Sequence, residues 1–531
     1  MSDSLAHLLW GAILRIGQAG IEASPFVLIG LFVAAIFKRM LGRGGTYRLF
    51  GSNSWRGVLL AWFLGMLLPV CSLGAFPVLR EMRKAGISGG TILAFALAMP
   101  LFNPISVLYG LTLSEPLIIF TFVLASLVVV TLAGLTFDRL FPSGVPQREE
   151  LPPVAYGLRR MGAVLVAAAE EACGPAMLYM LIGLAGVAVL SLVLPHGMLQ
   201  QTMFHADPTS PLLMTAVAVP VYDSPLRVMM QLGLMFDHGN SVGAALVLLF
   251  FGAGVNLGTI AWVLANFGWK RCLVWFGMLL LVTLVVAYAI EYPLFDEGAT
   301  IEDHTHAFDE FTAPSLSGNA ADLPAFVFGK LNDELDAWEL FSLASIGGLL
   351  LLGALFRLLA PRWSVDAWLE RVPPPPPDMR QPFWNQPLSG AFLTGVALVG
   401  LVIISVYCCY IYYPGPDEAI EMTRSIRVNA LVAIKNGQRD QARRGIRLWD
   451  DMIRKTEVGL YLRYGWVASD VQREGVQLRE ILEEAYDSFD EGTWTEERGQ
   501  EWFIEASKGS ERFRQAVLRQ VRPANEGAIN R

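Results

Sequence analysis

The chain repeats itself at a fixed offset of 153 residues, without a gap, inside its apolar stretches. Leu28-Ile29-Gly30-Leu31 recurs as Leu181-Ile182-Gly183-Leu184. At the same offset Leu73, Leu79, Met82, Gly86, Ser88, Gly90, Leu93 and Asn103 recur as Leu226, Leu232, Met235, Gly239, Ser241, Gly243, Leu246 and Asn256. Leucine matches arise easily in apolar sequence. Matched glycines, serines and asparagines each need a local cause, such as a close helix contact, a helix start or a polar group held in lipid. The fold must therefore hold two copies of one membrane unit, the usual construction of a secondary transporter.

With 531 residues, 54% of them hydrophobic and only 17% charged, and a mean hydropathy of +0.46, the chain is far from a soluble globular balance and reads as an all-α polytopic membrane protein. The five cysteines, Cys71, Cys173, Cys272, Cys408 and Cys409, lie in or beside apolar stretches and form neither a disulfide framework nor a zinc pattern. No cofactor is implied. The net charge of -8 is dominated by acidic loops and the tail, so it says little about orientation, which follows Lys and Arg in short loops. The N-terminus lacks the basic region and cleavage site of a signal peptide, and residues from Leu5 onward are read as mature protein.

A helix needs about 20 apolar residues to cross a bilayer. Eight stretches qualify: 20–37, 88–111, 116–137, 175–194, 241–264, 272–290, 341–359 and 389–411. Two further segments, 57–68 and 211–221, would rise only roughly 18 Å and cannot cross. Each ends in a helix-breaking knot, Pro69 to Pro77 in the first half and Pro220 to Pro225 in the second, followed by an amphipathic return. Both read as re-entrant hairpins with tips near the midplane.

Basic residues set the direction. Lys38, Arg39, Arg43, Arg48 and Arg56 follow the first span, Arg80, Arg83 and Lys84 close the first hairpin, and Arg139, Arg148, Arg159 and Arg160 follow the third span, marking those regions cytoplasmic. In the second half, loop 195–210 has no Lys or Arg and 291–336 is acidic with Lys330 alone, whereas Lys270 and Arg271 mark an inside loop. Three crossings and a hairpin per half therefore give two inverted repeats. The resulting division is 1–150 for the first repeat and 151–292 for the second. An acidic extracytoplasmic loop covers 293–338, two additional transmembrane helices with a Pro373–Pro377 polyproline connector cover 339–413, and a soluble C-terminal helical bundle covers 414–531. Interspersed charges in that tail argue against nucleic-acid binding. The expected setting is the inner cell membrane.

The run Leu68-Pro-Val-Cys-Ser-Leu-Gly-Ala-Phe-Pro77, followed by Arg83-Lys-Ala-Gly86, Gly90, Ala94-Phe95 and Met99-Pro-Leu-Phe-Asn-Pro104, resembles the signature of the ArsP/YraQ-type permease family over roughly residues 15 to 290. The resemblance implies a multi-pass exporter of a small-molecule or metalloid substrate, and some family members export trivalent organoarsenicals. Members associated with arsenicals tend to read Cys-Ser-Cys-Gly at the first tip; here Leu73 stands at the second cysteine. Soft cargo is held best by more than one thiolate.

The candidate substrate-binding residues are Cys71, Ser72, Asn103, Asp223, Arg227 and Asn256, because interrupted helices need cavities that satisfy their backbone. Each has a plainer reading. The asparagines could hold packing, Asp223 and Arg227 could be an intrahelical i,i+4 pair, and Cys71 could pack as a small hydrophobe. Glu22 and Glu170-Glu171 precede the first spans of the two halves, where either could accept a proton in an antiporter, but helix-dipole placement accounts for them without a further role. Glu302-Asp-His304-Thr-His306 has metal-ligand types without a fixed spacing, and no metal site is assigned. Gly86-Ile-Ser88-Gly89 resembles an intramembrane serine hydrolase, yet no histidine falls in a span, and Ser88 and Ser241 read as helix caps. A membrane anchor displaying the C-terminal domain is the other alternative. That domain is expected to bind a protein partner or to mediate oligomerisation.

Topology is directly testable. A cysteine at position 304 should react with an impermeant thiol reagent in intact cells, and one at position 270 only after permeabilisation. The reverse pattern would overturn the inverted arrangement.

Overall fold

The computed structural model describes residues 2–50, 55–113, 116–142, 159–205, 207–295, 305–314, 316, 319–359 and 390–529. Among them the regular elements are helical, apart from one bridge between Phe204 and Asn240. The chain divides into two compact units, Met1–Ser405 and Val406–Arg531.

The first unit opens with α1 (Ser2–Ile36), which runs through a π-turn into α2 (Gly42–Phe50). The sequence suggests a start at Gly20; the helix begins a full 18 residues earlier, at Ser2. Pro25 inside it cannot donate to the carbonyl of Ile21. The Ser24 hydroxyl donates to that carbonyl instead, at 2.7 Å. There follow α3 (Trp55–Met66), α4 (Ser72–Lys84), α5 (Gly89–Leu101), α6 (Pro104–Gly110) and α7 (Pro116–Leu140). The second half has α8 (Arg159–Ala172), α9 (Ala176–Val193), α10 (Ser210–Ala218), α11 (Pro225–Asp237), α12 (Val242–Leu248, wound on as a π-helix to Gly254), α13 (Leu257–Phe267) and α14 (Trp269–Glu291). A loop with a short turn at Asp309–Phe311 leads to α15 (Leu323–Asp333) and α16 (Ala337–Leu359). The last apolar helix is α17 (Gly390–Tyr412).

Among the described residues six continuous helices are long and apolar enough to cross a membrane. Two bent pairs, α5 with α6 at 47° and α12 with α13 at 60°, pass the same test when each is taken as one span. These are the 88–111 and 241–264 stretches of the sequence, and each bends at its asparagine.

The offset of 153 reappears in the packing. Ser88 caps α5 and Ser241 caps α12. The Asp138 carboxylate accepts from the Ser88 hydroxyl and the Gly90 N–H, at 2.7 and 2.6 Å. Glu291, 153 residues on, accepts from the Ser241 hydroxyl and the Gly243 N–H, at 2.8 and 2.5 Å. Any side chain at Gly90 would strike the carbonyl of Gly134, and at Gly243 that of Ala287, again the corresponding residue. Each helix start is thus held by a carboxylate from the end of the third crossing of its half, satisfying N–H groups that have no water to turn to. Packing between halves is crosswise: α4 lies on α13, and α11 lies on α6.

In the second unit, α18 (Pro416–Lys435), α19 (Arg439–Tyr464), α20 (Ser469–Glu491) and α21 (Glu496–Ile529) enclose a core around Trp449, Ile434, Val471, Leu482, Trp502 and Val517. Helices α19 and α20 end at Gly465 and Gly492, whose φ of +79° and +73° would strain other residues. Glu457 is buried in α19, and burial pushes its carboxyl up to about 7 against the pull of Arg479 and Arg454. Below its ordinary value of 4.5 it is neutral in both folded and unfolded chains. Between 4.5 and about 7 the unfolded chain releases this proton while the folded bundle keeps it, so stability falls as pH rises through that window. Glu457→Gln in the full chain should flatten this dependence and slow hydrogen exchange across α18–α21 at pH 7.5. Unchanged protection at both ends of the window would refute the assignment.

Candidate functional site

The starts of α4, α11 and α13 meet in the interior of the first unit, and the start of α6 is buried there as well. At the first tip Cys71 caps α4, its sulfur accepting from the Gly74 N–H at 3.5 Å. Ser72 follows it into the helix, and its hydroxyl accepts from Asn256 Nδ2 at 2.9 Å. The other end of that amide caps α13, Oδ1 accepting from the Thr259 N–H at 3.0 Å. Asn256 thereby ties the broken helix of the second half to the tip of the first.

Asn103 caps α6 in the same way. Its Oδ1 accepts from the Ser106 N–H at 2.8 Å, and Ser106 reciprocates on the Asn103 N–H at 3.1 Å. Its Nδ2 is buried with no hydrogen-bond partner among the described residues. The repeat explains the difference: the residue 153 beyond Ser72 is Pro225, which has no side-chain acceptor. A buried donor without an acceptor is costly and marks a place where a ligand can bond.

At the second tip Val221, Tyr222, Asp223 and Ser224 are buried. The Asp223 N–H donates to the carbonyl of Gly252 at 3.0 Å, anchoring the tip to the π-wound part of α12. Asp223 Oδ1 accepts from the Ser224 N–H at 2.9 Å, whereas Oδ2 has no hydrogen-bond partner among the described residues. The Tyr222 ring sits beside the Cys71 thiol, so the two tips adjoin.

The intrahelical pairing considered for Asp223 and Arg227 is not what forms. Asp223 precedes α11, which Ser224 caps. Arg227 instead meets Glu22 of α1 and Glu310 of the 305–314 segment, and the Ser224 hydroxyl donates to Glu22. Helix-dipole placement therefore does not account for Glu22, which lies well inside α1. Glu170 and Glu171 are taken up by Lys38 and Arg80, at 2.7 and 3.1 Å. Sequence reasoning set Glu22 aside and missed Gln18 and Glu310. The first two carried a usable signal, since Arg15, Gln18 and Glu22 fall at helical spacing and form one polar stripe. All three line a small cavity of about 20 Å³, with Tyr222, Asp223, Arg227 and Glu310. That is space for about one water molecule.

The 305–314 segment is held over this cavity. Arg15 donates to the carbonyls of Asp309 and Thr312, at 2.6 and 3.2 Å. Thr305 and Ala313 donate to the carbonyls of Gln200 and Leu194. His306 Nδ1 lies 3.0 Å from Asp309 Oδ2 and 3.1 Å from Gln200 Nε2. His304 lies outside the described residues. Among the described residues no three His, Cys, Asp or Glu side chains converge on a metal position.

Comparison with known proteins matches residues 9–292 to a family model described as predicted permease, ArsP_1. The chain is 33% identical over 85 residues to UPF0718 protein YcgR of Bacillus subtilis, covering 16% of this chain and 29% of that one. It is 26% identical over 85 residues to a Streptococcus mutans protein named "Putative two-component membrane permease complex subunit", covering 16% and 28%. The matches span less than a third of the length of these relatives. No solved structure matches the chain. The family match takes in both tips, both asparagine caps and the α1 stripe, more than half of the sequence, and the chain, a multi-pass membrane protein, belongs to the ArsP_1 family of predicted permeases.

Proposed function

We propose that the chain is a secondary, ion-coupled exporter of a small solute that binds between the two tips, with the halves rocking to open the site to each side in turn. The observation that carries this reading is the bond from Asn256 to Ser72, which makes one polar locus from the breaks of both halves. The basic loops support an inverted relation between the halves, as does the crosswise packing of α4 on α13 and α11 on α6. Such a pair can present one midplane site to both faces.

Cys71, Ser72 and the unpartnered Asn103 amide are the cargo contacts, and they suit a small solute with a hydrogen-bond acceptor. Asp223, with one oxygen lacking a hydrogen-bond partner, is the ion-coupling group. The cavity beside it is lined by three carboxyls, Glu22, Asp223 and Glu310, and by two guanidiniums, Arg15 and Arg227. Fully ionised, that set holds one negative charge more than its arginines balance, which a single proton or monovalent cation neutralises. Charge uncompensated in a region of low dielectric is costly, so the coupling ion has a driving force to enter. The C-terminal unit lies outside the family match and is the candidate surface for a protein partner. The subunit name of the Streptococcus mutans relative supports that reading.

Purified protein in liposomes, given a pH gradient and a panel of anions, metalloids and organoarsenicals, tests the proposal. Asp223→Asn keeps size and removes charge. It should cut coupled flux at least about tenfold, about 1.4 kcal/mol, at normal protein level. Ser72→Ala keeps both helix caps and removes the link between halves, and it should also lower flux. Wild-type flux from well-expressed forms of both would mean that the tips are structural and that cargo passes elsewhere.

A further inference from the structure

A second polar pocket lies away from the tips, where the turn between α4 and α5 meets the end of α7 and the α13–α14 corner. It encloses about 370 Å³ and is lined by Arg83, Asn266 and Arg271 together with Phe137, Phe141 and Phe267. Arg83 donates to Asn266 Oδ1 and lies over the Phe267 ring at 5.6 Å. Arg271 lies over Phe141 at 5.5 Å. Neither guanidinium meets a carboxylate among the described residues. The nearby Asp138 is engaged in capping α5.

The other half indicates that this space needs an occupant. There the corresponding position is filled by the chain itself. His205 Nδ1 lies 2.8 Å from Glu291, the counterpart of Asp138. Its ring stacks at 3.5 Å on Phe295, the counterpart of Pro142, which lines the first pocket. Phe204 bridges to Asn240, the counterpart of Ile87. At the same offset, the residues matching Phe204 and His205 are Gly51 and Ser52, neither of them aromatic. Where the second half supplies an aromatic plug, the first half supplies two arginines, an amide and an aromatic wall.

We propose that this pocket binds a phosphate-bearing amphiphile, its oxyanion held by Arg83 and Arg271 and its apolar part laid along Phe137, Phe141 and Phe267. Guanidiniums suit phosphate because their planar fork offers paired donors, and they stack on aromatic rings without losing that capacity. The face that Lys270 and Arg271 mark as cytoplasmic is also where anionic lipids concentrate basic pockets. The phosphate could come from a lipid headgroup or from a soluble phosphate ester, and the chemistry is common to both.

Native mass spectrometry of the purified full chain separates the sources, with phosphatidylglycerol, phosphatidylcholine and inorganic phosphate as probes. Phosphatidylglycerol should bind at least about tenfold more tightly than phosphatidylcholine, and the double variant Arg83→Gln/Arg271→Gln should lose that preference. Arg83→Lys/Arg271→Lys retains charge and should recover part of it, which distinguishes lost recognition from a misfolded protein. Displacement of the lipid by millimolar inorganic phosphate, in an arginine-dependent manner, would identify the soluble source. Equal binding of all three probes by wild type and the glutamine variant would overturn the proposal.

Discussion

Everything in the first unit follows from one constraint: a helix broken inside an apolar layer leaves N–H groups that only protein can satisfy. In hydrocarbon each unsatisfied group costs several kcal/mol. The chain meets this with six side-chain caps: Cys71, Ser88, Asn103, Ser224, Ser241 and Asn256. All six fall into three pairs at the offset of the repeat, Cys71 with Ser224, Ser88 with Ser241 and Asn103 with Asn256. Because caps must be polar and the breaks must be buried, the interior acquires a set of fixed dipoles that an all-apolar bundle would lack. A polar locus in the membrane is therefore a by-product of interrupting the helices at all.

The two halves share this plan and differ in how completely they use it. Asn256 finds Ser72, whereas Asn103 faces a repeat in which the matching residue is a proline. The first crossing is unbroken from Ser2 to Ile36 in one half and divided between α8 and α9 in the other, around Cys173-Gly174-Pro175. Pro175 stands 153 residues after Glu22. The carboxylate that meets Arg227 thus has no counterpart, and the cluster of charge sits on one side of the pseudo-symmetric frame only.

Much of the fold was legible because it is written locally. Among the described residues apolar length picks out the six continuous spans and the two bent pairs, and the asparagines mark where the pairs bend. The ordered Cys-Ser, Pro and Asn-Pro pattern led to the family. The repeat comparison would have gone further had it admitted similar as well as identical residues, since Asp138 and Glu291 stand in register and do the same work. Glu22 was set aside as a carboxylate at a helix start, although Arg15, Gln18 and Glu22 share a helix face that a polar site can accept. Glu310 carried no local signal. It is one carboxylate in an acidic stretch, and only the tertiary course of the loop selects it from its neighbours.

That loop separates lineage from charge. Glu310 and Phe311 lie beyond residue 292, where the family match ends, yet they enter a cavity whose other lining residues are family-matched. On the proposed reading, a chain ending at that boundary would lose this part of the lining and keep two carboxyls facing two guanidiniums, electrically balanced before any ion arrives. Two proteins with the same core could then differ by one in the number of ions they move per cycle, through a segment that neither core contains. Stoichiometry in such a family would belong to the individual chain and its appendages, and could not be inherited from a measurement on a shorter relative.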